Sequence, residues 1–171
     1  MRDTNQLAAR VPSWARATFA GAAGGAAWRL GINWIFGPAQ SVLADPARQS
    51  AKMLRAFSPG VDAPRMYGEP SVVWVALIAI GVVWGWWYVW LSRSWTPVWW
   101  ARGLRFGALA WTLMVPWFEF YLPWNVLREP ALLVALELVC WLGVMLLVGL
   151  TIAAVDRLLS GVATTRGSAS I

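Results

Sequence analysis

Three ionisable side chains stand inside stretches that otherwise carry almost no charge: Arg29, Glu119 and Glu137. An ionised group surrounded by hydrocarbon costs roughly 3 kcal/mol on insertion scales, so each needs a partner or a task. A guanidinium donates to two carboxylates at once. Pairing of Arg29 with Glu137, and with Glu119, is therefore the expected chemistry. Asn33, one turn beyond Arg29, completes an expected polar cluster of Arg29, Asn33, Glu119 and Glu137. Such a cluster holds helices in register, or it forms a proton-linked or anion-binding site. Interhelical packing is the plainer reading.

Other chemistries are narrowed by what the chain lacks. It contains no histidine, which removes imidazole-ligated metals, imidazole-ligated haem and His general-base catalysis. Its one cysteine, Cys140, lies in an apolar run and has no partner for an intrachain disulfide. The GAAGG stretch at 21–25 lacks the Lys-Ser/Thr that follows in a phosphate-binding loop. No catalytic motif is visible, and neither a cofactor nor enzymatic activity is expected.

The elements that must carry these residues follow from composition. Hydrophobic residues make up 59% of the 171 and charged residues 13%, about half the share usual in soluble domains. The 15 tryptophans gather near the ends of apolar runs, where an amphipathic ring suits the lipid–water boundary. A span needs about 20 apolar residues. Four segments fit: 14–37, 71–92, 103–122 and 131–155. The expected fold is an all-α, polytopic, four-transmembrane-helix bundle within one membrane domain, 1–157, followed by a flexible polar tail, 158–171. The first segment is the weakest, being rich in Ala and Gly; a cleaved signal peptide is its competing reading. Segment 71–92 has no charge at all and is the clearest. Pro116 should kink the third span or free a carbonyl. Asp45-Pro46 reads as the start of a short amphipathic helix, continuing to Phe57 and lying on the membrane surface or in an ordinary loop. Asn125 is placed to cap the fourth helix, near Pro130.

Orientation follows the distribution of basic residues. Four spans put Arg2, Arg10, Arg16, Arg93, Arg102, Arg105, Arg157 and Arg166 on one side, against Arg48, Lys52, Arg55, Arg65 and Arg128 on the other. The N- and C-termini are thus expected in the cytoplasm, with a bacterial inner membrane as the setting. Arg29 lies eight residues before Gly37 and Glu137 seven after Pro130, ~12 Å and ~10 Å from the same surface. Arg102 and Arg105 could contact lipid phosphate, although orientation anchoring is the simpler role.

Small residues recur at four-residue spacing: Ala17, Gly21 and Gly25; Gly81 and Gly85; Gly103 and Gly107. They suit close helix packing, within the bundle or between copies. The net charge of +6 is dispersed and makes no nucleic-acid surface. The expected partners are the lipid bilayer and a homo-oligomer or larger membrane complex. The function expected is that of a non-catalytic accessory, assembly or scaffold subunit. The alternative is a small oligomeric transporter or channel using the buried charges.

Overall fold

Helix accounts for 88% of the described residues, which contain no strand. The structure is a computed structural model and describes residues 11–57, 69–95 and 97–165. α1 (Ser13–Gly31) runs through a π-helical stretch, Ile32–Phe36, into α2 (Gly37–Leu43). α3 (Ala51–Phe57) is short. α4 (Pro70–Leu91) ends in a tight turn, Ser92–Ser94. α5 (Trp99–Glu119) passes into a second π-helical stretch, Phe120–Val126, and α6 (Ala131–Thr165) completes the fold. Arg2, Arg10, Arg65, Arg166 and the last residues of the expected tail lie outside the described residues.

Both π-helical stretches have a proline to answer to. A helical proline ring crowds the carbonyl four residues earlier and removes one N–H. For Pro38 that carbonyl belongs to Trp34, inside the first stretch; for Pro123 it belongs to Glu119, at the mouth of the second. Widening the turn relieves both clashes. Pro116 lies within the helical span of α5.

Long helices pack in the order α4, α1, α6, α5. Glycine sets their spacing. A Cβ on Gly21 would lie 2.7 Å from the Cα of Val82, and one on Gly25 would lie 2.7 Å from that of Ile78. From the other side, a Cβ on Gly85 would lie 2.7 Å from the Cα of Gly21. At the α5–α6 contact, a Cβ on Gly107 would meet the Cα of Leu146 at 2.8 Å, and one on Gly149 would meet the N of Gly107 at 2.7 Å. Backbone therefore lies against backbone at both seams, where dispersion and weak contacts accumulate. The interior between the seams is aromatic. Trp28 stacks on Trp84 at 4.8 Å, and Phe106 stands edge-on to Trp84 at 6.5 Å and to Tyr88 at 5.6 Å.

Two helical segments, Pro70–Ser94 and Ala131–Ser160, are long and apolar enough to cross a membrane. The four spans expected are thus not all matched. α1 owes its low polarity to Ala and Gly and carries Arg16 and Arg29; α5 carries Arg102, Arg105 and Glu119. Boundaries also differ. Asp45 does accept a hydrogen bond from the Ala47 amide (2.9 Å), but it closes only one turn. The effective cap is Ser50, whose hydroxyl accepts from the Met53 amide at 3.0 Å, so α3 starts at Ala51. Asn125 lies exposed inside the second π-helical stretch and does not head α6, and α6 itself continues to Thr165, into the segment expected as a tail.

Replacing Gly81 with Val should lower the thermal unfolding midpoint, by overpacking worth about 1–3 kcal/mol. Gly37→Ala, where a Cβ meets nothing within 4 Å, should leave it unchanged or slightly raised. Equal midpoints for the two variants would remove the close-approach account.

Candidate functional site

Three carboxylates converge at the end of the bundle where α5 stops and α6 starts. Glu119 closes α5, Glu129 sits in the connection, and Glu137 lies two turns into α6. They are 1%, 2% and 8% exposed, and one oxygen from each lies within 4.8 Å of one from each of the others. Such proximity of like charge in an apolar surround demands a compensating proton or cation.

Their positions come from local geometry. The freed carbonyl and wide turn after Glu119 let the chain double back, and the Glu129 amide donates to the Pro123 carbonyl at 2.9 Å. Arg128 takes a left-handed conformation (φ 57°), uncommon outside glycine, and this directs the chain into α6. Gln49 arrives from the α2–α3 connection and is itself buried. Its amide nitrogen donates to the Leu43 carbonyl (3.1 Å) and to Oε1 of Glu129 (2.5 Å). Alongside, the Ser50 hydroxyl donates to the Leu127 carbonyl at 2.6 Å. These bonds fasten one connection over the other and cover the carboxylates.

The cluster is poorly supplied with donors. Both oxygens of Glu119 and Oε2 of Glu129 are buried with no hydrogen-bond donor among the described residues. What approaches Glu119 is the Glu137 carboxyl and the indole of Trp141. A cavity of about 240 Å³, lined by Trp28, Met114, Val115, Phe118 and Trp141, flanks the site with apolar groups. Burial pushes Glu129 from its ordinary value of 4.5 up to about 7; the Gln49 hydrogen bond pulls it down and the Glu137 carboxylate pushes it further up.

Of the four residues expected to cluster, the structure brings together Glu119 and Glu137. Arg29 and Asn33 stand elsewhere. Arg29 donates to Asn33 Oδ1, and its guanidinium lies 5.9 Å from the ring of Trp74 on α4. Two things separate them. Arg29 lies near the level of Val144 and Leu147 on α6, about two turns from Glu137. Trp28 also takes the interior position, 7% exposed and stacked on Trp84, so the next residue points about 100° round the helix. Glu129 and Gln49 were not anticipated. One signal for Glu129 exists, because Glu129, Leu133 and Glu137 recur every four residues, on the stripe that α6 buries. Gln49 has no such signal, since its placement depends on a tertiary contact between two loops.

The small-residue positions lie at the seams described above: Ala17, Gly21 and Gly25 against Gly81 and Gly85, and Gly103 and Gly107 against Gly149. Cys140 is buried and free. Two ion pairs occur among the described residues, Arg16 with Asp156 at 3.5 Å and Arg48 with Asp45 at 3.3 Å; neither touches the carboxylate cluster. Carboxylate oxygens suit hard cations such as Mg²⁺, Mn²⁺ and Ca²⁺. Two oxygens on opposite sides of one Ca²⁺ are about 4.6–5.2 Å apart, a separation that the three glutamates already approach. Comparison with known protein families, with curated proteins and with solved structures gives no match.

Between pH 4.5 and about 7 the folded chain holds a proton on Glu129 that the unfolded chain releases. Stability should therefore fall as pH rises through that window: this group's contribution is fully present below pH 4.5 and lost above about pH 7, with a flat dependence on either side. In chelator, the unfolding midpoint of the native chain is expected to drop from pH 5 to pH 7.5, and that of Glu129→Gln to drop less. Parallel curves would count against the shifted carboxyl.

Proposed function

We infer that this chain is a four-span membrane protein with both termini in the cytoplasm, and that Glu119, Glu129 and Glu137 bind a hard cation within it. The membrane reading is supported by apolar surface left over after folding. The segment Pro70–Ser94 has a mean hydropathy of 2.0, yet only 22% of its most apolar window is buried; for Ala131–Ser160 the values are 2.6 and 39%. A core helix of a soluble domain would hide most of such a surface. α1 packs along both of these helices and α5 along the second, so the same slab of lipid would take all four. Their lower apolarity is tolerable because glycine-lined faces turn inward.

One observation carries the cation reading: three buried carboxylates lie against one another with no guanidinium or ammonium paired to them among the described residues. Glu119 is 1% exposed, and its oxygens make no close hydrogen bond among the described residues, with the Glu137 carboxyl and the Trp141 indole beside them. A divalent ion would supply the missing charge and accept all three oxygens. Gln49 would then be a positioning residue that fixes the rotamer of Glu129. Transport of the ion, or its use as a structural clamp between two loops, both follow from such a site.

A second reading, that of a non-catalytic assembly subunit, is favoured by the aromatic face of α4. Trp86, Trp87 and Trp90 are 54%, 57% and 69% exposed and would suit a protein partner as well as lipid. That reading makes Trp90→Ala the damaging change for copurification and leaves cation binding aside.

Millimolar Mn²⁺, Mg²⁺ or Ca²⁺ should raise the unfolding midpoint of the chelator-treated chain in detergent by several degrees. That corresponds to about 2.7 kcal/mol at a hundredfold excess over the dissociation constant. Glu119→Gln and Glu137→Gln should abolish the rise. If none of the three ions shifts the native chain, the site does not bind them.

A further inference from the structure

A second polar site lies at the other end of the bundle. The end of α4, the start of α5 and the late turns of α6 enclose a cavity of about 350 Å³ whose wall includes Tyr88, Val98, Trp99, Arg102, Asp156 and Arg157. Its charge is unbalanced. Asp156 is engaged by Arg16, whose Nε lies 3.5 Å from Oδ1 and whose Nη1 also donates to the Ser160 hydroxyl. Arg102 and Arg157 have no carboxylate at ion-pair distance among the described residues. Arg102 spends one nitrogen, Nη2, on the Pro97 carbonyl at 2.7 Å. Its Nε is buried with no acceptor. Arg157 lies over the ring of Trp99 at 5.6 Å, held by a cation–π contact that leaves its N–H edge unspent.

We propose that this cavity binds a phosphate group between Arg102 and Arg157. Guanidinium presents paired N–H donors at the spacing of phosphate oxygens, and the unsatisfied Nε of Arg102 is a donor waiting for an acceptor of that kind. Tyr88 lines the cavity too, with its phenol available as a further donor. Val98 and Trp99 give the same cavity an apolar wall, suited to the glycerol and upper acyl part of a phospholipid. Trp95, Trp99 and Trp100 cluster beside it, as indoles do at headgroup depth. The phosphate therefore has two sources, an anionic phospholipid headgroup or free phosphate from the aqueous side. Only the lipid source depends on the membrane reading above.

The test uses the full chain in nanodiscs of phosphatidylcholine containing a minor fraction of phosphatidic acid. Lipid retention is read by native mass spectrometry and stability by thermal unfolding. Retention of phosphatidic acid over phosphatidylcholine, reduced on the order of tenfold in Arg102→Gln and in Arg157→Gln, is the expected result for a headgroup site. Stabilisation by millimolar inorganic phosphate in pure phosphatidylcholine discs, lost in the same variants, is the result for a free-phosphate site. Arg93→Gln, which alters an exposed arginine outside the cavity, should retain wild-type behaviour in both arms. If Arg102→Gln fails to fold, Arg157→Gln carries the comparison, because Arg157 is exposed and its removal disturbs little packing. Phosphatidic acid retention that is undiminished in both variants, together with no stabilisation by inorganic phosphate that the variants lose, overturns the proposal.

Discussion

Negative charge that the protein itself does not neutralise is the constraint around which one end of this molecule is built. Three glutamates from three positions of the chain are brought within 4.8 Å and closed off from water. A fold selected only for stability would replace them with apolar side chains, because buried ionic groups rarely stabilise relative to hydrophobic ones of similar size. Instead, several local devices serve to hold them there. The π-helical turn after Glu119, the left-handed Arg128 and the Gln49–Glu129 bond all act on the same few residues. Irregular backbone concentrated in this way accompanies functional sites more often than inert cores.

The rest of the bundle makes this placement possible by being rigid elsewhere. Gly21, Gly25, Gly81 and Gly85 let α1 and α4 approach until backbone touches backbone, and Gly103, Gly107 and Gly149 do the same for α5 and α6. With both seams closed, the aromatic interior of Trp28, Trp84, Tyr88 and Phe106 has little freedom to rearrange. Further ties lock rotation: the Trp111 indole donates to the Leu138 carbonyl at 3.0 Å and the Trp86 indole to the Thr18 hydroxyl at 3.1 Å. Glu119 and Glu137 sit on two helices whose relative rotation is thereby set.

How much of this can be read from the chain differs by residue. The uncharged run 71–92 declares a long helix because nothing in it resists one, and α4 occupies nearly the same residues. The four-residue spacing of Gly81 and Gly85 is equally plain, but spacing cannot say whether the facing surface is Ala17, Gly21 and Gly25 or another copy of the chain. Caps were harder. Asp45 and Ser50 both have capping side chains, and only the tertiary bond from Ser50 to Leu127 shows why the helix begins at the second. Charge pairing was harder still. Arg29 is a suitable partner for Glu137 in composition, yet it stands beside Val144 and Leu147 of α6, about two turns from Glu137, and its rotation also turns it away. Trp28 buries more apolar area and occupies the inward position, so Arg29 faces Trp74. Counting residues from presumed span ends fixes neither the relative depth of side chains on two helices nor their azimuth once a bulky neighbour competes.

That azimuth produces an asymmetry between the two ends of α6. Glu137 and Asp156 are 19 residues apart on this one helix, ~28 Å along its axis and close to the thickness of a hydrocarbon core. α1 runs beside α6 and carries Arg16 at the Asp156 level, while Arg29, ~20 Å further along, reaches only the level of Val144 and Leu147, about two turns short of Glu137. At the Asp156 level an arginine turns inward and the acid is paired; Arg29 stops short of the Glu137 level and turns toward Trp74, so the acids are left to one another. The bundle thus has an end with surplus guanidinium, at Arg102 on α5 and Arg157 on α6, and an end with surplus carboxylate. The small-residue seams fix α1 in the rotation that causes this, since turning it to bring Arg29 inward would carry Gly21 and Gly25 off Gly81 and Gly85. Close packing and separation of charge are in this sense one decision of the fold: it holds Arg29 both short of the glutamates and facing Trp74, so no described arginine of α1 reaches them.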